Sequence, residues 1–196
     1  QPFSIIGDRH GFSDIRGTLF FELVRILEVK KPRAVLLENV KQLTTHNRGK
    51  TLERILEALE DLGYCVDWKV LNALDFGLPQ KRERVLIAAT IDKFDEFPWP
   101  KKNKSMKPLS SILEKNPDPK YYVSDRIKNR RHAAHKSQYK PGIWHENKAG
   151  NISSHPYSCA LRAEASYNYL LVDGERRLTS RELLRLQGFS NSFEIV

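Results

Sequence analysis

Two short stretches combine residue types that can exchange protons and form several hydrogen bonds. In the first, the apolar run AVLLENV (residues 34–40) closes on Glu38 and Asn39. A carboxyl that is partly removed from water has its charged form disfavoured, so its pKa rises and it can donate a proton near neutral pH. From this stretch alone, the alternative is a strand-end glutamate that caps the next loop.

The second stretch is GLPQKRERV, in which a glycine and a proline mark a turn before an extended run. The two-residue period of a strand predicts that Gln80, Arg82 and Arg84 share one face. The planar donor fork of arginine suits phosphate oxygens or a carbonyl such as a pyrimidine O2. The alternative is a solvated, charged hairpin strand.

A third stretch opens the chain. QPFSIIGDRHGFSDIRGTL carries three glycines and several polar residues and leads into a predicted helix. Such a loop could contact phosphate through Ser4, Arg16 and backbone N–H groups.

The elements that must position these residues belong to an α/β fold. Apolar residues recur with a helical period in TLFFELVRILEVKKP and TLERILEALEDLGY, whereas RAVLLENV, CVDWKVLNA and RVLIAA are short and rich in strand formers. This alternation predicts a mostly parallel sheet covered by helices. Ligands bind outside the carboxyl ends of such strands, which is where Glu38 lies.

A second module with a different texture follows. From about residue 95 the chain is rich in Pro, Lys, Asn, Ser and Tyr, and no helical period returns until residue 179. Thr179 and Glu182 then form a capping box, and Gly188 ends the final helix. The division between the two modules is predicted at about residue 110.

The charge of the chain is concentrated in one block. Of a net charge of +9, residues 101–140 hold twelve Lys and Arg against three acidic residues. This block indicates a polyanion partner, most often nucleic acid, and the alternative is a solvated lysine-rich loop.

Cysteine, histidine and hydropathy patterns exclude other classes. Cys65 and Cys159 lie far apart, and the six histidines form no metal-ligand pattern. No apolar stretch is long enough to span a membrane. We therefore expect a cytoplasmic protein without a metal or membrane partner. The lack of a Gly-x-Gly-x-x-Gly loop argues against a nicotinamide-dependent oxidoreductase.

Five blocks, in order, resemble the signature blocks of the DNA cytosine-5 methyltransferases. They are QPFS, DIRGTLFFEL, LLENV, LNALDFGLPQKRERV and RRLTSRELLRLQGF, and the match covers residues 1–91 and 168–190. The resemblance implies a partial Rossmann-like methyltransferase sheet plus a smaller, irregular, mostly β target-recognition domain. Residues 1–110 would be the partial catalytic domain, and residues 111–196 the target-recognition domain and return helix.

The resemblance also implies an activity. A cytosine is flipped out of a specific DNA duplex and receives at C5 a methyl group from S-adenosylmethionine, as in a restriction-modification methylase. Glu38 would protonate or hydrogen-bond the cytosine N3 edge, Arg84 would hold O2 beside Arg82, and Asn39 would fix the loop. The remaining contacts implied are phosphate or DNA for Ser4, Arg16, Lys41 and Gln80, and the cofactor for Leu19.

Base reading is expected from the variable segment SCALRAEASYNYLLVDG. The family's usual Thr-Leu pair is Ala160-Leu161 here. The candidate reading residues are Ser158, Arg162, Tyr167 and Asn168.

In the family, the nucleophilic cysteine belongs to a Pro-Cys pair directly before the residue that matches Gln1. Neither Cys65 nor Cys159 matches it, so we expect the 196-residue chain alone to be inactive. An N-terminal remainder of the enzyme, on the same polypeptide or as a separate piece, would supply the cysteine. Two alternatives stay open: a tRNA cytosine-5 methyltransferase, and a non-catalytic DNA-binding module on a methyltransferase scaffold.

Overall fold

The computed structural model of this chain describes residues 15–102, 104–163 and 165–194, with side chains from residue 20 onward. The helices are α1 (Ile15–Lys30), α2 (Lys50–Asp61), α3 (Asp125–Ala134) and α4 (Ser180–Leu186). The strands are β1 (Ala34–Val40), β2 (Cys65–Asn72), β3 (Gln80–Lys81), β4 (Glu83–Thr90), β5 (Ile143–Glu146), β6 (Ile152–His155), β7 (Ser158–Cys159) and β8 (Leu170–Val172). None of the described helices is long and apolar enough to cross a bilayer.

The chain divides into two compact units. The first unit is Gln1–Leu71 with Glu83–Lys101, and the second is Asn72–Arg82 with Lys102–Val196. The first unit holds helices and a sheet, and the second is mostly strands and irregular segments. This confirms the predicted α/β class, whereas the functional division at residue 110 stays a prediction.

The helices α1 and α2 of the first unit are confirmed. In α2, Leu52, Ile55 and Leu59 are 4%, 4% and 0% exposed, so one apolar stripe is buried as the helical period predicts. Gly63, with a φ of +88°, then turns the chain out of the helix.

The sheet of the first unit has the order β1-β4-β2, and β1 is antiparallel to β4. The parallel arrangement that the βα alternation predicts is therefore wrong for this pair. The chain passes from β2 to β4 through residues 73–82 without an α-helix. Because β4 enters the sheet without the crossover helix of a βαβ unit, the parallel order expected for such units does not extend to β4.

One face of this sheet packs against the core of the unit. Val85 and Ala89 are fully buried, and Ile87 is 2% exposed, in a cluster that includes Leu59 of α2. Burying each of the larger side chains contributes about 1.5–3 kcal/mol. The opposite face is more open, since Leu36 is 66% exposed.

In the second unit, β6, β5 and β8 form an antiparallel sheet, and β3 pairs with β7 in parallel. The strands are short and joined by irregular segments, as predicted for the second module. Its core contains Leu109, Ile112, Ile143, Leu170, Val172, Leu178 and Leu186.

Helix α3 lies where the sequence predicts no helix. Its residues DRIKNRRHAA have no apolar stripe. The helix is instead anchored by a buried charged residue. Arg131 is 0% exposed, and its Nη2 donates to Glu146 Oε2 at 2.7 Å. A search for hydrophobic periodicity cannot detect a helix that is anchored by a buried ion pair.

The capping box of α4 is confirmed. Thr179 Oγ1 accepts the N–H of Glu182, and Glu182 Oε2 accepts the N–H of Thr179. The Glu182 carboxylate is fully buried and also accepts two bonds of 2.8 Å from Arg176 and one of 2.7 Å from the N–H of Glu114. One carboxylate thus caps the helix and closes a buried ion pair.

Candidate active site and nucleic-acid interface

The first unit brings a carboxylate and a guanidinium together across two neighbouring strands. In the β1–β4 register, Glu38 lies opposite Leu86, and Arg84 lies opposite Val40. Because side chains alternate between the faces of a sheet, Glu38 and Arg84 are diagonal neighbours on one face. Arg84 Nε lies 2.7 Å from Glu38 Oε1. Two residues that the sequence assigns to the active site are therefore in contact.

This ion pair remains accessible to water. The side chains of Glu38 and Arg84 are 42% and 23% exposed. The desolvation predicted for Glu38 is therefore not found in the part of the chain that the structure describes. Arg84 Nη1 also donates to the carbonyl of Glu83 at 2.9 Å, which fixes the guanidinium plane. A carboxyl beside a fixed guanidinium can bind a ring edge that carries a nitrogen and a carbonyl oxygen.

Two neighbours on the same segment have local partners. Asn39 Oδ1 accepts the N–H of Val40 at 2.8 Å, which holds the backbone at the end of β1. Lys41 Nζ lies 2.7 Å from Glu83 Oε1. A DNA phosphate would therefore compete with Glu83 for Lys41.

Gln80 and Arg82 do not share a strand with Arg84. β3 ends at Lys81, and β4 begins at Glu83. The continuous strand that would place all three side chains on one face is therefore a wrong prediction. Gln80 is 1% exposed, and its Nε2 has no hydrogen-bond partner among the described residues.

Asn72 stabilises the break between β3 and β4 at Arg82. The sequence patterns do not identify Asn72. Its Oδ1 accepts the N–H of Leu74 at 3.3 Å and the N–H of Arg82 at 3.2 Å. The N–H of Ala73 donates to the carbonyl of Arg82 at 3.1 Å. The available signal is an asparagine at the end of a strand, where its side chain can cap a turn.

Both cysteines are free thiols of intermediate exposure. Burial raises the pKa of the Cys159 thiol, although the nearby charge of Arg162 opposes the effect. A raised pKa lowers the thiolate fraction and hence the nucleophilicity. Cys65 Sγ contacts the carbonyl of Phe94 at 3.7 Å.

Two of the four candidate reading residues contact the interior of the second unit through buried polar atoms. Ser158 is fully buried in β7, and its hydroxyl donates to the carbonyl of Cys159 at 2.9 Å. The carbonyl of Asn168 accepts from the buried guanidinium of Arg131. The buried Oδ1 of Asn168 has no partner within the described chain. Both residues contact the interior of the unit.

The other two candidates, Arg162 and Tyr167, line a surface cavity of about 310 Å³ in the second unit. Tyr167 is 77% exposed, which is unusual for a tyrosine ring. These two side chains are accessible to a large ligand.

The basic block is partly neutralised. Among the described residues, five of its twelve cations form ion pairs, which leaves fewer charges for a polyanion. The pairs are Lys102 with Asp75, Lys120 with Asp118, Lys128 with Glu175, and Arg130 and Arg131 with Glu146.

Some predicted contacts cannot be placed. Ser4 lies outside the described residues, as do the side chains of Arg16 and Leu19, whose backbones belong to α1. No group of three or more His, Cys, Asp or Glu that could hold a metal ion occurs in the described part of the chain.

Comparison with known proteins gives a consistent result. The family model of the C-5 cytosine-specific DNA methylases matches residues 1–196. The chain is 56% identical to the Type II methyltransferase M.NgoBI of Neisseria gonorrhoeae over 198 residues, and 54% identical to M.HaeII of Haemophilus aegyptius over 199 residues. All of this chain and 62% of each relative are covered, so the chain spans about three fifths of their length.

Solved structures share the fold. The Entamoeba histolytica methyltransferase EhMeth matches with a TM-score of 0.67 and 18% identity, over 99% of this chain and 64% of that one. The S. pombe Dnmt2 methyltransferase matches with a TM-score of 0.62 and 22% identity, over 99% of this chain and 65% of that one.

Proposed function

Because this chain belongs to the C-5 cytosine-specific DNA methylase family, we propose that its complete polypeptide methylates C5 of a cytosine in a specific DNA duplex. The similar proteins are named Type II methyltransferases, which supports a role in restriction-modification. The protein would act on DNA in the bacterial cytoplasm. The N-terminal remainder would lie on the same polypeptide or be supplied as a separate piece.

The contact between Glu38 and Arg84 is the observation that supports this proposal most. The side chains lie 2.7 Å apart on adjacent strands. Arg84 would donate to the cytosine O2, and Glu38 would face N3. A carboxyl that hydrogen-bonds or protonates N3 withdraws electrons from the ring and eases attack at C6. General acid assistance of this kind contributes about 10²-fold to 10⁴-fold to a rate.

The target base must leave the duplex to reach these groups. Flipping costs a few kcal/mol, which contacts to the phosphates and the flipped base must offset. The bound base would also displace water from the half-exposed ion pair. Each hydrogen bond in the pair would then become stronger, because a lower local dielectric increases electrostatic attraction.

S-adenosylmethionine would supply the electrophilic methyl group. Leu19 is the residue assigned to it, and its side chain lies outside the described part of the chain.

The second unit would recognise the DNA sequence. Lys104, Lys107 and Lys115 of its basic block form no ion pair with the described residues and are available for phosphates. Their contacts would make affinity fall as salt concentration rises. The predicted target-recognition domain, residues 111–196, lies within this unit.

A methylation assay on two substrates tests the proposal. The complete natural polypeptide is incubated with methyl-labelled S-adenosylmethionine and either duplex DNA or tRNA, and the nucleosides are analysed by mass spectrometry. We expect 5-methylcytosine in DNA. Label in tRNA alone would favour the tRNA enzyme, and tight DNA binding without label would favour the non-catalytic module.

A further inference from the structure

The surface cavity of the second unit combines aromatic, apolar and cationic walls. Its volume is about 310 Å³. Among the described residues that line it there is no Asp or Glu, and the charged ones are Arg162 and Arg177. The aromatic and cationic side chains that line it are Arg162, Tyr167, Tyr169 and Arg177. The apolar ones include Leu161, Leu170, Leu178 and Leu183.

Arg162 is held in place without using its guanidinium donors. The guanidinium carbon lies 4.9 Å from the centre of the Tyr169 ring, which is cation–π distance. The backbone N–H of Arg162 donates to the Tyr169 hydroxyl at 3.2 Å. Its guanidinium forms no hydrogen bond or ion pair with any residue that the structure describes, and Nε is buried without a partner. A planar donor fork is thus oriented and available to a ligand.

Tyr167 is held by a second arginine. The guanidinium carbon of Arg177 lies 4.2 Å from the centre of the Tyr167 ring, and its Nη2 donates to the carbonyl of Lys120. Tyr167 is nevertheless 77% exposed. The ring is therefore fixed from one side and open to contact by a ligand.

These features select the chemistry of the occupant. Leucine walls and an exposed tyrosine ring favour a flat ring over a hydrated phosphate. An arginine fork donates only, so it requires an edge with two acceptors. Guanine presents such an edge in O6 and N7, whereas the corresponding edges of adenine and cytosine carry an amino donor.

We propose that this cavity reads one guanine of the target DNA, with Arg162 contacting O6 and N7 and Tyr167 packing against the same exposed edge of the base. Arg177 is a positioning residue that holds Tyr167. This assignment rests on the proposed function, because it names the base that the recognition unit reads. Among the candidate reading residues, it gives the contact with DNA to Arg162 and Tyr167. Ser158 has a structural role, because it is buried and its hydroxyl donates to the carbonyl of Cys159 in its own strand.

Binding experiments can test the assignment without relying on catalysis. Preferred duplexes are selected from a random pool by their binding to the complete polypeptide. Each guanine is then replaced by 7-deazaguanine, which lacks the N7 acceptor, and affinity is measured by fluorescence anisotropy. We expect one guanine whose replacement weakens binding by about 10-fold, since a bidentate arginine–guanine pair discriminates by about this order.

Variants then connect that guanine to Arg162. Arg162→Gln removes the charged fork, and Arg162→Lys keeps the charge without the fork; both retain the backbone N–H that donates to Tyr169. We expect Arg162→Gln to weaken binding to the unmodified duplex by about the same 10-fold and to abolish the effect of 7-deazaguanine. Arg54→Gln is the matched control, because Arg54 is exposed on α2, lies outside the basic block and does not line the cavity.

The assignment would be overturned by selected duplexes without a fixed guanine, by an equal 7-deazaguanine effect in wild type and Arg162→Gln, or by a loss of affinity in the control as large as that in Arg162→Gln. Competition by free deoxyguanosine monophosphate without any such coupling would assign the cavity to a nucleotide and likewise overturn the DNA assignment. Failure of methyl transfer on the selected duplex, with the coupling intact, would refute the proposed function alone.

Discussion

Replacing Glu38 by glutamine should separate catalysis from stability. Glu38→Gln keeps the size of the side chain and removes the exchangeable proton and the charge that faces Arg84. The pair spans β1 and β4 with 2.7 Å between Arg84 Nε and Glu38 Oε1, and the two side chains are 23% and 42% exposed.

Two magnitudes follow from this geometry. A solvent-exposed ion pair contributes about 0–1 kcal/mol, so the free energy of unfolding should change by less than about 1 kcal/mol. Loss of general acid assistance should lower kcat by about 10²-fold to 10⁴-fold, which corresponds to about 3–5 kcal/mol in the activation barrier. The effect on activity should therefore exceed the effect on stability several times over.

The assay uses the complete polypeptide. It measures methyl transfer to the cognate duplex at several substrate concentrations, together with urea unfolding of the same preparation. The matched control is Asp92→Asn. Arg33 Nη2 lies 2.8 Å from Asp92 Oδ2, so this ion pair joins the ends of the same two strands far from Glu38. Asp92→Asn should retain both activity and stability. Wild-type kcat in Glu38→Gln, or a loss of activity that merely follows the unfolded fraction, would refute the role given to Glu38.

Three further predictions concern the second unit. Arg176→Met should lower the free energy of unfolding by about 3–5 kcal/mol, because Glu182 would stay buried without its ionic partner; an unchanged denaturation midpoint would contradict this. Gly174→Ala should cost about 1–3 kcal/mol in a thermal melt, since Gly174 has a φ of +74° and an added Cβ would lie 2.9 Å from Trp144 Cε3; a wild-type melt would refute it. Burial and neighbouring cations lower the pKa of His145 below 6.5, so stability should be retained above that pH and fall as pH drops through the folded-state pKa; an NMR titration midpoint at or above 6.5 would exclude this.

The sequence predicts the elements whose stability comes from local patterns. The apolar stripe of α2 and the capping box at Thr179 are local, and the structure confirms both. Helix α3 was missed because its anchor, Arg131, is polar and its partner Glu146 lies on a strand that follows later in the chain. Hydrophobic periodicity contains no information about such a pair.

In the candidate site, too, local patterns are predicted from the sequence, whereas contacts between distant segments are not. The contact of Glu38 with Arg84 was inferred from ordered motifs, but it is produced by the antiparallel register of β1 and β4, which the βα alternation did not predict. Gln80 lies in a separate short strand because the side chain of Asn72 interrupts the extended run at Arg82. Register and interruption depend on pairing between distant segments, and a two-residue period cannot supply it.

A crystal structure of the complete polypeptide with its cognate duplex and S-adenosylhomocysteine tests the central claim most directly. The flipped cytosine should lie with O2 within about 2.7–3.2 Å of the Arg84 guanidinium and N3 at the same range from the Glu38 carboxyl. A target cytosine that is extruded but held by other side chains, with Glu38 and Arg84 still facing water, would contradict the account.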